Sequence, residues 1–69
     1  MKVICVLAGT KAQYEQWLRE HGETNRTAIY GHSHESILGH EFSRVVTTGT
    51  FGGRDGDAEL AWLATAYVR

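Results

Sequence analysis

Two groups of residues have types and spacings that chemistry can use. The first is a pair of Gly-Thr steps that close two β-rich runs. Gly9-Thr10 follows Val3 to Ala8, and Gly49-Thr50 follows Arg44 to Thr48, with Gly52, Gly53 and Arg54 directly after. Backbone N–H groups at the start of a helix carry partial positive charge, glycine lets a ligand approach the main chain, and arginine forks onto phosphate or carboxylate. Gly9, Thr10, Thr48, Gly49, Thr50, Gly52, Gly53 and Arg54 are therefore a candidate site for a small anionic ligand or a nucleotide. Neither nucleotide fingerprint is met: no G-x-G-x-x-G follows the first run and no G-x-x-x-x-G-K-[ST] occurs. The competing reading is architectural, with glycines that only permit tight turns and threonines that only cap helices.

The second group is His32, His34 and His40, with Glu35 and Glu41 beside them. Histidines two apart on an extended segment point the same way and can share a metal, and a third closes a tetrahedral site. Their other reading is as solvated loop histidines around one helical turn. Tyr30-Gly31-His32-Ser33-His34 resembles the Gly-His-Thr/Ser-His motif of calcineurin-like metallophosphoesterases, a resemblance that implies two histidines helping to hold a dinuclear metal centre. The match covers five residues. That family's Asp-x-His, Gly-Asp-x-x-x-Asp and Gly-Asn-His-Glu/Asp segments do not occur here.

Other arrangements offer less. Cys5 sits inside an apolar run, where a thiol behaves as a small hydrophobe. Ser33, Ser36 and Ser43 lie near His40 without a Gly-x-Ser-x-Gly elbow. Asp55 and Asp57 flank Gly56 and read either as an acid/base pair or as helix caps, with Asp57 the expected N-cap of the last helix.

The elements that must position these residues follow from pattern. Val3 to Ala8 is continuously apolar, as in a strand buried on both faces at the centre of a parallel sheet. Thr10 and Gln13 form a capping-box signature, so a helix starts at Lys11. Tyr14, Trp17, Leu18 and His21 give it one apolar stripe, and Gly22 ends it. Ala28 to Tyr30 reads as a short edge strand, His34 to Leu38 as one helical turn capped by Ser33, and Arg44 to Thr48 as a second edge strand. A last helix runs from Ala58 to about Val68 and is apolar nearly all round.

A helix of that kind on so small a domain is expected to be covered on its outer side, with Trp62, Ala66 and Tyr67 as the interface of a homodimer. Trp17 and Trp62, each followed by leucine, read as two core anchors rather than as platforms for stacking on bases, since neither lies in a basic setting. The alternating order of elements predicts an α/β fold: a three-stranded parallel sheet of order 2-1-3 with flanking helices. This is half of a Rossmann- or flavodoxin-like sheet in one domain over residues 1–69. Its switch point lies between strands one and three, where both Gly-Thr ends meet.

Size and charge limit the function. A chain of 69 residues hides only about 60% of the surface its unfolded form exposes, so partner surfaces are expected. Seven Lys and Arg against eight Asp and Glu leave a net charge of -1, without the basic excess that general nucleic-acid binding requires. One cysteine permits no intrachain disulfide, and six consecutive apolar residues neither span a membrane nor form a signal peptide. A reducing, cytoplasmic setting is expected.

Taken whole, Val6-Leu7-Ala8-Gly9-Thr10, Tyr14, Trp17-Leu18, Val45-Val46, Gly49-Thr50, Arg54 and Asp57-Ala58 resemble very short Rossmann-like proteins encoded by bacteriophages of actinobacteria. The resemblance covers nearly the full chain and implies a fold and a host-cytoplasm setting; the family has no assigned activity. It departs at Phe51-Gly52-Gly53, where a bulky continuation is expected and the loop is instead more open. The expected function is a non-enzymatic binding module without a cofactor. It recognises a small anionic ligand, a nucleotide or a host protein at the crevice between strands one and three. The alternatives are a small metal-assisted hydrolase using His32, His34 and His40, and a structural assembly subunit.

Overall fold

A computed structural model describes residues 2–68. Its elements are β1 (Val3–Ala8), α1 (Lys11–His21), β2 (Ala28–Tyr30), α2 (His34–Ile37), β3 (Phe42–Thr48) and α3 (Asp57–Ala66). The three strands form one parallel sheet in the order β2-β1-β3, the α/β arrangement expected from the sequence.

β1 is central because both of its faces are covered. Ile4, Val6 and Ala8 point to one side, where Tyr14 and Trp17 of α1 and Ala28 of β2 complete a core cluster. Cys5 and Leu7 point to the other, where they meet Ile37 of α2, Phe42 of β3 and Ala64 of α3. The two-residue period of the strand thus splits one apolar run into two half-cores, and no alternation is visible in the sequence.

α1 is fixed at both ends and along its inner stripe. The Thr10 hydroxyl accepts from the Gln13 N–H at 3.2 Å, while the Gln13 side-chain oxygen accepts from the Thr10 N–H at 3.1 Å. Gly22 closes the helix by donating its N–H to the Leu18 carbonyl. The Tyr14 hydroxyl donates to the Ala28 carbonyl at 3.1 Å, which ties the helix to β2. α2 repeats the same capping logic in a single turn, with Ser33 and Ser36 bonded reciprocally.

Four expectations need correction. β3 begins at Phe42, two residues before the predicted Arg44, and Ser43 is the extra residue of a bulge between the Val3–Phe42 and Ile4–Arg44 pairs. Asp57 is not the N-cap of α3: Gly56 holds that place in a left-handed conformation, and the Asp57 carboxylate turns back to the preceding loop. The last helix stops at Ala66 rather than Val68, because the Tyr67 carbonyl accepts from the Phe42 N–H at 3.0 Å and Val68 forms a parallel bridge to Phe42. Finally, the two tryptophans are not equivalent anchors. Trp17 is 6% exposed in the core, whereas Trp62 is 76% exposed.

No helix of the described residues is long and apolar enough to cross a membrane.

Candidate functional site

The carboxyl ends of β1 and β3 lie side by side, since Ala8 pairs with Thr48, so the two Gly-Thr steps meet at one edge of the sheet. Gln13 sits between them. Its side-chain oxygen accepts from three donors: the Thr10 N–H at 3.1 Å, the Thr50 N–H at 3.1 Å and the Thr50 hydroxyl at 3.3 Å. One residue of α1 therefore latches the β1–α1 turn to the β3–α3 loop, 37 residues away in the chain.

Two glycines make this approach possible. A Cβ at Gly9 would collide with the Thr50 side chain, and one at Gly49 would collide with the Gln13 side chain. Gly49 also adopts φ +64°, which other residues rarely take. Neither position admits alanine without moving the latch.

Arg54 stands beside the crevice. Its Nη2 donates to the Gly9 carbonyl at 2.8 Å, and its backbone is held by the Asp57 carboxylate. Asp57 is only 4% exposed and accepts from the Gly52 N–H at 2.8 Å and the Arg54 N–H at 3.2 Å. Charge-assisted bonds of this kind are about twice as strong as neutral ones, so a single carboxylate shapes the whole Gly52 to Asp57 loop. Gly53 folds inside that loop, its N–H donating to the Thr50 carbonyl.

On the far side of Arg54 lies an open groove of about 400 Å³. It runs between the β2–α2 turn and the start of α3 and is lined by His32, Ser33, His34, Arg54, Asp55, Gly56, Asp57, Glu59 and Leu60. Arg54 thus borders both the crevice and the groove.

The three histidines are used separately. His32 stacks on Tyr30 with ring centroids 4.9 Å apart, and its Nδ1 pairs with the Tyr30 carbonyl at 3.3 Å, which puts the proton on that nitrogen. His34 opens α2, and His40 stacks on Phe42 at 6.1 Å. Among the described residues no three His, Cys, Asp or Glu side chains are gathered so as to hold a metal ion. Cys5 is fully buried in β1, and burial pushes its thiol up to about 12, so it is held protonated and away from the edge.

The expected interface residues divide. Trp62 and Ala66 are exposed on the outer side of α3, while Tyr67 is half-buried and packs against the core beneath the helix. A second groove, apolar and of about 320 Å³, lies next to Trp62 between α2 and α3, with His34, Leu38, Glu59 and Leu63 as its other walls.

No protein-family model, curated protein or solved structure matches the chain.

Sequence reasoning missed Gln13 as a site residue. The capping box with Thr10 identified the side chain but not its second partner, because Thr50 comes near only once β1 and β3 pair. It also missed Leu38 and Leu63 as groove walls, since a groove between two helices has no local spacing.

Proposed function

We propose that the protein is a small non-enzymatic binding module, phage-encoded and working in the host cytoplasm as a homodimer. It takes an anionic group, the phosphate of a nucleotide or a carboxylate, at the crevice between β1 and β3. One observation carries this reading: three donors from two separate turns converge on a single oxygen, that of Gln13. In this reading the amide oxygen stands where an oxygen of the ligand would lie.

The chain's own residues supply the steps. Gln13 rotates out, and the N–H groups of Thr10 and Thr50 with the Thr50 hydroxyl pass to the anion, a charged acceptor that makes stronger bonds than a neutral amide. Arg54 leaves the Gly9 carbonyl and forks onto the same group. Because Arg54 also lines the groove beside His32 and His34, the remainder of the ligand extends there. The site sits at the carboxyl edge of an open α/β sheet, where ligands of such sheets bind.

A thermal-shift titration with inorganic phosphate and with nucleotides tests the reading, because a ligand that binds only the folded state raises the melting temperature. Wild type should be stabilised, Arg54→Ala should lose the effect, and Gln13→Ala, which removes the internal competitor, should respond at lower ligand concentration. No shift in either wild type or Gln13→Ala contradicts the crevice as a binding site.

A further inference from the structure

We infer that the groove beyond Arg54 is the base subsite of the anion site, so that the ligand is a nucleoside monophosphate with its phosphate in the crevice and its base stacked on His32. The inference rests on the crevice reading above and names the class of ligand that the crevice takes. Tyr14, Tyr30 and His32 form a run of stacked rings, with centroids 5.3 Å apart at the first step and 4.9 Å at the second, and interplanar angles of 15° and 22°. Tyr14 is buried in the core, Tyr30 is half-buried and His32 is exposed, so the run starts inside the protein and ends at its surface. That last residue is a wall of the groove. Among the described residues its ring stacks on Tyr30 alone.

An exposed imidazole ordinarily turns freely, yet His32 is held twice, by the stack and by the bond of its Nδ1 to the Tyr30 carbonyl. A ring already fixed in place loses little further freedom when a second ring is laid on it. Leu60 of α3 adds an apolar wall to the same groove. The charges of the groove select the rest of the ligand. Arg54 is its one guanidinium and the group it shares with the crevice, whereas Asp55 and Glu59 present carboxylates. These repel any further anionic group and accept from hydroxyl and amine donors. A ligand that satisfies both conditions carries its negative charge on one phosphate and donors on the remainder, as ribose hydroxyls and the amine of a base provide. A volume of about 400 Å³ lies at the small end of ligand pockets, which agrees with a single nucleoside. Bare phosphate or a simple carboxylate would leave the groove and its ring without a role.

Isothermal titration calorimetry with inorganic phosphate, ribose 5-phosphate and adenosine 5′-monophosphate tests the subsite, with circular dichroism to show that each variant is folded. Wild type should bind adenosine monophosphate at least about fivefold more tightly than ribose 5-phosphate, the lower end of what one base gains from one aromatic ring. The exposed His32 can be replaced without opening the core, and His32→Ala should lose that ratio while binding ribose 5-phosphate as wild type does. Equal affinity for the two ligands in wild type, or a ratio unchanged in folded His32→Ala, overturns the base subsite and leaves the crevice standing. Binding of inorganic phosphate alone has the same meaning. No binding of any of the three to wild type or to Gln13→Ala overturns both.

Discussion

The dipeptide Trp-Leu occurs once in α1 and once in α3, with opposite outcomes. Trp17 is buried against β1 and stacks on His21 with centroids 4.3 Å apart, while Trp62 stands in solvent. The difference lies in what else each helix supplies. In α1 the residues at i, i+3 and i+4 are Tyr14, Trp17 and Leu18, and the outward positions carry Lys11, Glu15, Arg19 and Glu20. In α3 the inward places go to Leu60, Ala61, Leu63, Ala64 and Tyr67, because Phe42, Leu7 and Ile37 already fill that half of the core. Small Ala61 and Ala64 suit a helix lying close over those side chains, and the helical period then turns Trp62 outward. α1 is thus finished toward water, whereas α3 is finished only toward the sheet.

The sharpest test of that contrast is the loss of each aromatic ring. Trp17→Ala should cost about 3–5 kcal/mol, the usual range for emptying an aromatic core site. A domain of this length has about 3–10 kcal/mol in total, so urea melts should show a protein near or past its unfolding threshold. Asp57→Ala should cost about 2 kcal/mol by releasing the Gly52 and Arg54 N–H groups from a buried carboxylate. It should also loosen the loop that leads into α3, visible as faster amide exchange at those residues.

The two half-cores also differ in titration. Burial raises the Cys5 thiol from 9.0 to about 12 on the α3 side. Burial first, and the Glu15 charge second, raise the Tyr14 hydroxyl on the α1 side. In both cases the folded state favours the protonated form, so the stabilisation is complete below the ordinary value and is lost as pH rises toward the folded one. For Cys5 the loss over the first unit above pH 9 should be about 1 kcal/mol. Melts repeated with Cys5→Ala should flatten that limb, and Tyr14→Phe should remove the part that belongs to the other face.

Smaller effects are expected at the surface. Gln13→Ala should destabilise by about 1 kcal/mol through the lost bonds to the Thr10 and Thr50 turns. Trp62→Ala, measured in dilute solution where the chain is alone, should lie within about 0.5 kcal/mol of wild type. A large loss there would show that Trp62 serves the fold after all.

Much of the fold was legible because its signals are local. The apolar run at Val3 to Ala8, the Thr10–Gln13 box and the glycine after His21 each mark an element by themselves, and the βα alternation with right-handed crossovers then gives the order 2-1-3. Phe42 escapes assignment to β3 because Ser43 interrupts the β-rich pattern, and a bulge leaves no spacing rule to follow. Asp57 has the residue type of an N-cap, yet two loop N–H groups compete for its carboxylate and win. The meeting of the two Gly-Thr ends followed from topology, whereas the Gln13 latch between them depends on a contact that only the folded sheet creates.

The central contrast, one tryptophan buried in the fold and the other exposed on α3 where the proposed homodimer would cover it, is tested most directly by quenching. Iodide access would be measured for the single-tryptophan variants Trp17→Phe and Trp62→Phe over a concentration series. Trp62, alone in Trp17→Phe, should be freely quenched when dilute and progressively shielded as concentration rises, while Trp17, alone in Trp62→Phe, should be shielded throughout. Equal quenching of Trp62 at every concentration, or a Trp17 as accessible as Trp62, would contradict the account.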